Sequence, residues 1–280
     1  SEGGTIAHTV RLRNKSQVAS DTFALTLAPG AWPTVLDAPS TLTLGPCQST
    51  TLTVTVQVPS TVGWHVYDTA TLTAQSTLSP SATSTAYIVS KTPAPVLLVD
   101  GSRFYNVDNR YRAALDAIGV PYDRHRVKHT WPLAVPTTAT LSMYPMVVWY
   151  TAYDWYEPLG VKETARLIAY LDRGGRLFFS SQDYLYYHRG EPMATDYLGV
   201  LEPFEDLGTT HIWGEPRHPV GWGVGPYTLT YSYTNWSDGL IPVDEAQIAL
   251  RGQHMAPSMI THRTDAWRTA FAAFRFDTLD

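Results

Sequence analysis

The string Phe179-Ser180-Ser181-Gln182-Asp183 places two hydroxyls, an amide and a carboxylate directly after an apolar run, and His188 follows five residues later. Those types could support nucleophilic hydrolysis, with Ser180 or Ser181 attacking, His188 as base and Asp183 behind it. The string lacks the glycines that relieve crowding in a Gly-x-Ser-x-Gly elbow. The simpler expectation is that the serines and Gln182 satisfy backbone groups at a strand end, and that Asp183 caps the next helical turn.

Asp100, Asn106 and Asp108 offer oxygen ligands after another apolar run. Their spacing is not that of a calcium loop, and Arg103 stands where further acids would be needed. The nine histidines form no His-Glu-x-x-His pair, and Cys47 is the only cysteine. That excludes an internal disulfide, and no Cys/His cluster has zinc-site spacing. No metal and no cofactor are expected.

Aromatic residues form the most suggestive constellation. Trp149-Tyr150-Thr151-Ala152-Tyr153-Asp154-Trp155-Tyr156 and Tyr184-Leu185-Tyr186-Tyr187-His188 each follow an expected strand. Both should therefore emerge at the same edge of a parallel sheet, where open α/β sheets bind ligands. Flat amphipathic rings beside carboxylates and amides suit stacking on sugar faces or contact with a protein. The candidate ligand-binding set is Asp100, Tyr153, Asp154, Trp155, Tyr156, Gln182, Asp183, Tyr184 and Tyr187, with Trp213, Trp222 and Trp236 as candidate walls or lid.

The elements that must position these residues change character along the chain. Thr41 to Leu44 and Thr51 to Val58 alternate threonine with apolar side chains, the period of a half-buried antiparallel strand. Ile6 to Leu12, Thr22 to Leu27, Asp68 to Ala74 and Thr83 to Val89 behave similarly, so residues 1–90 are expected to form an immunoglobulin-like β-sandwich. Residues 91–95, with Pro93 and Pro95, read as a linker. From 96 to 280 strands alternate with helices, implying a parallel sheet with right-handed crossovers. The strands are Val96 to Val99, Met146 to Tyr150, Arg176 to Ser180 and Thr269 to Phe274. A first helix is expected from an Asp108 cap to a Gly119 stop, with Tyr111, Ala114, Leu115 and Ile118 inward. A second is expected over Val161 to Asp172, with Ala165, Ile168 and Leu171 inward. After Gly199 the pattern is irregular and rich in Gly, Pro and Trp.

At 280 residues and 44% apolar content, two packed domains are expected. A net charge of −5 and only 16% charged residues disfavour a duplex nucleic-acid binder. No apolar run approaches the roughly 18 residues of a membrane-spanning helix. The chain opens Ser-Glu-Gly-Gly, without an initiator Met or targeting segment, and is expected to be a mature piece or an excised fragment. The sequons Asn14-Lys15-Ser16 and Asn235-Trp236-Ser237 read as chance matches in a bacterial protein.

The first part resembles the NEW3 and related bacterial immunoglobulin-like modules, through Asn14-Lys15-Ser16, Asp21-Thr22-Phe23, Trp32 and Gly45-Pro46-Cys47-Gln48-Ser49. The second resembles a flavodoxin-like, three-layer domain of the class I glutamine-amidotransferase-like superfamily. That resemblance rests on Val96 to Asp100, Ala113 to Tyr122, Tyr170 to Leu177, Ser181 to Leu185 and Tyr197 to Val200. Its cousins are appended to secreted subtilisin-like peptidases and surface proteins. Working members of that superfamily carry a cysteine nucleophile at the turn that falls here near Ser180 and Ser181. Residues 96–280 contain no cysteine, so the resemblance implies a pseudoenzyme.

The expected function is therefore a non-catalytic binding or scaffolding region of a larger secreted or cell-surface bacterial protein. Its partners would be further domains of the same polypeptide, a subtilisin-like peptidase among them, and a glycan or surface protein held in the aromatic crevice. The alternatives are a hydrolase of peptide or glycan using Ser180, Ser181, Asp183 and His188, and a self-assembling surface-layer or filament subunit.

Overall fold

The computed structural model describes residues 3–130 and 133–279. The chain divides into two compact units, Ser1–Pro93 and Ala94–Asp280.

The first unit is a sandwich of seven antiparallel strands: β1 (Thr5–Arg13), β2 (Asp21–Ala28), β3 (Thr34–Asp37), β4 (Thr41–Leu44), β5 (Ser49–Gln57), β6 (Tyr67–Ser76) and β7 (Thr83–Lys91). They form sheets of order β1-β5-β3 and β4-β2-β6-β7. Threonine alternation decides which face is inside. Leu52, Val54 and Val56 of β5 and Ala70, Leu72 and Ala74 of β6 are buried in one core with Trp32. Each such Val or Leu contributes about 1.5–3 kcal/mol by leaving water. Asn14 is buried, and its amide donates to the carbonyls of Ala19, Leu44 and Gly45, so this sequon nitrogen is committed to turn hydrogen bonds. Strand β3 has no counterpart in the sequence expectations. Its four residues are too few to show a period.

The second unit contains, in order, β8 (Val96–Asp100), α1 (Asp108–Ala117), β9 (Tyr122–Arg126), α2 (Thr138–Leu141), β10 (Met146–Ala152), α3 (Val161–Leu171), β11 (Arg176–Ser181) and α4 (Tyr184–His188). A π-helical turn (Met193–Tyr197) leads into β12 (Val200–Phe204), β13 (His211–Gly214), β14 (Tyr227–Thr228), β15 (Gly239–Pro242), β16 (Gln247–Arg251), β17 (Pro257–Arg263) and β18 (Arg268–Ala272). Nine strands make one sheet of order β14-β13-β16-β17-β18-β11-β10-β8-β9, and β12 pairs separately with β15.

Neighbours among β9, β8, β10, β11 and β18 run parallel. Strands β17, β16, β13 and β14 extend the sheet in antiparallel fashion. The expectation of a wholly parallel three-layer sheet is thus corrected to a mixed one. Between β11 and β18 the chain carries six strands and only short helical turns, because its Gly- and Pro-rich sequence has no helical period. Gly214 and Gly221 show how tight that region is. A Cβ on Gly214 would lie 1.6 Å from the Gly221 carbonyl oxygen.

On one face of the sheet, Leu97, Val99, Trp149, Leu177, Phe179 and Phe271 pack with Leu167, Tyr170 and Leu171 of α3. On the other, Val96, Leu98, Val148 and Tyr150 pack with Tyr111 and Leu115 of α1. The Tyr111 and Tyr150 rings stack there at 3.9 Å.

Several helix details differ from expectation. Asp108 lies inside α1 and makes no cap; Asn106 Oδ1 instead accepts from the Asp108 N–H at 3.1 Å. Gly119 provides the stop at φ +65°, but the helix ends at Ala117 with Ile118 exposed, and Ala114 within it faces solvent. In α3 the inward row is Leu167, Tyr170 and Leu171, with Ile168 partly covered and Ala165 exposed.

Tyr170 also locks the α3–β11 turn. Its hydroxyl accepts from Arg176 N–H at 3.1 Å and lies 3.2 and 3.1 Å from the carbonyls of Tyr144 and Arg176, and burial pushes its pKa to about 12. Tyr170→Phe leaves these backbone groups unpaired in the core. We expect a loss of about 1–3 kcal/mol, measurable as a lower urea midpoint with unchanged slope.

Candidate functional site

Four chain segments converge beyond the carboxyl ends of β10 and β11. A β-bulge interrupts the β10–β11 ladder between Tyr150 and Ala152, and Ala152 takes φ +49°. This left-handed step, costly for a residue with a Cβ, turns the chain so that Tyr153 and Trp155 face the crevice. Strand β11 is followed by Gln182 and Asp183, and α4 adds Tyr186 and Tyr187. The β12–β15 ladder pairs Phe204 with Gly239, which brings Glu205 and Asp206 opposite Asp238. Asn235 Oδ1 accepts from the Ser237 backbone N–H and its hydroxyl, and Asn235 Nδ2 donates to the Thr209 carbonyl, fixing the turn that carries Trp236. Asp238 N donates to Ala273 O at 3.0 Å, tying that turn to the end of β18.

The resulting crevice has a volume of about 470 Å³. Trp155, Tyr186, Tyr187 and Trp236 are exposed around it, and the Tyr187 hydroxyl donates to Trp155 O at 3.2 Å. Trp155 stacks on Phe104 at 5.4 Å, which holds its ring without hiding it. Tyr153 packs with Tyr105 and Tyr233, with the Arg275 guanidinium 5.7 Å from its ring centre. Gln182 is only 1% exposed; its amide nitrogen serves the Asp183 carboxyl, while its oxygen has no hydrogen-bond partner. A buried amide oxygen left unpaired costs roughly 1–3 kcal/mol.

Two carboxyl groups of the crevice are raised above their ordinary values. Burial pushes Asp183 up to about 6, opposed by the Gln182 amide that hydrogen-bonds it and helped by the nearby carboxylates of Asp206 and Asp154. Burial pushes Asp238 up to about 8, reinforced by Asp206, Asp183 and Glu205 and opposed by the Asp206 N–H that donates to Asp238 Oδ1 at 3.0 Å. Glu205 is paired with Arg189.

Of the residues expected from sequence to form a ligand site, Tyr153, Trp155, Gln182, Asp183 and Tyr187 line this crevice. The others do not. Asp100 accepts from Ser102 and lies 3.5 Å from the Arg126 guanidinium. Asp154 is buried against Arg103 at 3.3 Å; burial raises its pKa and the backbone N–H of Tyr156 and the arginine oppose the rise. Tyr156 lies under the same guanidinium at 5.0 Å. Tyr184 is fully buried against Phe179 and is part of the core.

Ser180 and Ser181 are not directed at His188. The Ser180 hydroxyl donates to Phe274 O at 2.9 Å and accepts from Phe276 N–H and the Tyr111 hydroxyl. Ser181 accepts from the Thr151 hydroxyl at 2.8 Å. His188 stacks on Tyr184, with Nδ1 at 2.9 Å from Glu191. Asp183 makes no side-chain cap for α4. Asp108 pairs with Arg124 and Arg112, and among the described residues no group of three His, Cys, Asp or Glu could hold a metal ion. Glu205, Asp206 and Asp238 had no sequence signal, since their juxtaposition depends on the short β12–β15 ladder. Trp236 is the only one of the three candidate wall tryptophans that lines the crevice.

No family model and no curated protein matches the chain. Among solved structures it is similar to a cytoplasmic protein from Salmonella typhimurium, with 14% identity, 75% of this chain and 83% of that chain covered, and a TM-score of 0.43. It is similar to a ThuA-like protein from Bacteroides uniformis, with 10% identity, 66% and 84% covered, and a TM-score of 0.44. It is also similar to an exo-β-1,4-mannosidase from Opitutaceae bacterium strain TAV5, with 16% identity and a TM-score of 0.45, over 66% of this chain but only 32% of the mannosidase. Scores of this size establish neither family nor activity.

The raised carboxyls have a pH signature. Between the unfolded value near 3.9 and the folded values, the native state binds more protons than the unfolded one, so stability falls as pH rises. With folded values of about 6 for Asp183 and about 8 for Asp238, the urea midpoint should fall between pH 4 and 8. Asp238→Asn should flatten that decline above pH 6; an unchanged slope would contradict the assignment.

Proposed function

We propose that the crevice of the second unit binds a glycan, and that the chain is a non-catalytic binding module of a larger secreted or cell-surface bacterial protein. In this reading the sandwich is an immunoglobulin-like spacer. The second unit is a flavodoxin-like domain of amidotransferase-like ancestry that has lost its nucleophile. The parallel strand order β9-β8-β10-β11-β18 supports that description of the fold.

The observation that carries the glycan reading is Gln182, buried with its amide oxygen unpartnered in a crevice ringed by exposed aromatics. A sugar hydroxyl can donate to the amide oxygen and accept from its nitrogen, while Trp155 or Trp236 stacks on the apolar face of the ring. Near neutral pH Asp238, raised to about 8, is a protonated acid that adds a donor and an acceptor without the desolvation cost of a charge, and Asp183, raised to about 6, adds an acceptor.

A second reading rests on those same carboxyls. With values of about 6 and about 8, Asp183 and Asp238 can exchange a proton near neutrality, as acid–base hydrolysis of a glycosidic bond requires.

A glycan array probed with the whole chain and with Trp155→Ala separates the possibilities. Because Trp155 is half exposed, its loss should leave folding intact and weaken binding at least tenfold. Binding that survives Trp155→Ala, or no binding by either protein, would remove the glycan reading. Release of reducing ends from a bound oligosaccharide, abolished by Asp183→Asn, would establish hydrolysis.

A further inference from the structure

The other end of the same strands carries a second constellation. Arg176 opens β11, Arg268 opens β18 and Arg263 closes β17. The ladders place Arg176 opposite Arg268 and Arg268 opposite Arg263. Period-two alternation puts all three on the face that bears Phe178, Ala270 and Met259. Like charges set opposite one another across neighbouring strands destabilise a sheet. All three arginines are exposed, and among the described residues none has an ion-pair or side-chain hydrogen-bond partner. Asp265, in the intervening turn, borders the same outer hollow as Arg263 and Arg268 without pairing to either.

Beside this row lies a groove of about 580 Å³. Phe178, Ala270, Met259 and Leu250 line it from the sheet, and Val224 and Phe276 from neighbouring segments. Helix α1 covers the adjacent part of this face, over Val96 and Val148, but the groove itself stays open. Its volume is within the roughly 300–1,000 Å³ of small-molecule sites. The basic row stands out because residues 95–280 carry 21 acids and 16 bases.

We propose that this groove binds a single-chain amphiphile with an anionic head, a long-chain carboxylate. Its hydrocarbon lies along Phe178, Ala270 and Met259, and its head is held by Arg268 between Arg176 and Arg263. A guanidinium fork matches a carboxylate bidentately, and one anion among three cations relieves their mutual repulsion. Both halves of the ligand are specified: an apolar floor alone would take any hydrocarbon, and the arginines alone would take any anion.

The test is isothermal titration of the whole chain with palmitate below its micelle concentration, and with hexadecanol as the uncharged equivalent. We expect saturable 1:1 binding of palmitate, at least tenfold tighter than hexadecanol. Arg268→Glu should weaken palmitate at least tenfold, leave hexadecanol unchanged and not lower the thermal midpoint, because it removes a like-charge neighbour. Arg268→Lys, which keeps the charge but loses the fork, should bind palmitate more weakly than the parent and more tightly than Arg268→Glu. Equal affinity for palmitate and hexadecanol, no binding of palmitate, or full affinity in Arg268→Glu would each overturn the proposal. The glycan reading, tested at Trp155, stands or falls separately.

Discussion

Pairing of β10 between β8 and β11 is the constraint on which the second unit depends. The register sets Tyr150 beside Asp100 on one side and Ser180 on the other. It buries Trp149 and Tyr150 in different clusters on opposite faces. A slip of one residue would exchange those two rings, so the burial of both faces fixes the register strongly. The close fit extends into the loop after β8, where a Cβ on Gly101 would lie 2.5 Å from Trp149 Nε1 and 3.0 Å from the Tyr150 carbonyl. With register and exit fixed, the bulge after Tyr150 delivers Tyr153 and Trp155 to the place where β11 delivers Gln182 and Asp183.

Partners separate structural carboxylates from candidate ligand-binding ones. Asp100, Asp108, Asp154 and Asp277 are buried beside arginines, which balance their charge where water is scarce. Asp183 and Asp238 face no such cation at ion-pairing distance, and burial drives them toward the neutral acid. Gln182, in the same crevice, leaves its amide oxygen without a partner. The sheet could have ended in apolar residues at no such cost. Underserved polar groups gathered in one crevice are ones that a polar ligand can satisfy.

How much of this was legible beforehand depended on period and length. Thr51 to Val58 alternates cleanly, and the strand is there; Val96 to Val99 is apolar throughout, and it lies buried on both faces. The strands β12 to β16 gave no warning, because two to five residues in a Gly- and Pro-rich stretch cannot display a period and their pairing is set by partners distant in sequence. The same limit governed the site. Residues that follow recognisable strands, Trp155, Gln182 and Asp183, could be placed at one edge. Asp206 and Asp238, 32 positions apart, meet only because Phe204 pairs with Gly239. Tyr184 and Tyr187 looked equivalent in the string, but the turn of α4 buries one and exposes the other.

Charge is sorted along the strands themselves. Strand β11 begins with Arg176 and is followed by Gln182 and Asp183, and β18 begins with Arg268 on the same side of the sheet as Arg176. At about 3.3 Å per residue, the five steps of β11 from Arg176 to Ser181 alone span about 17 Å, about twice the screening length of about 8 Å in physiological salt. The basic row therefore cannot neutralise the acidic crevice, and the crevice cannot quench the row. Each end must find its counter-group in its immediate surroundings or in a ligand, and a neutral polar ligand at one end leaves the field at the other unchanged.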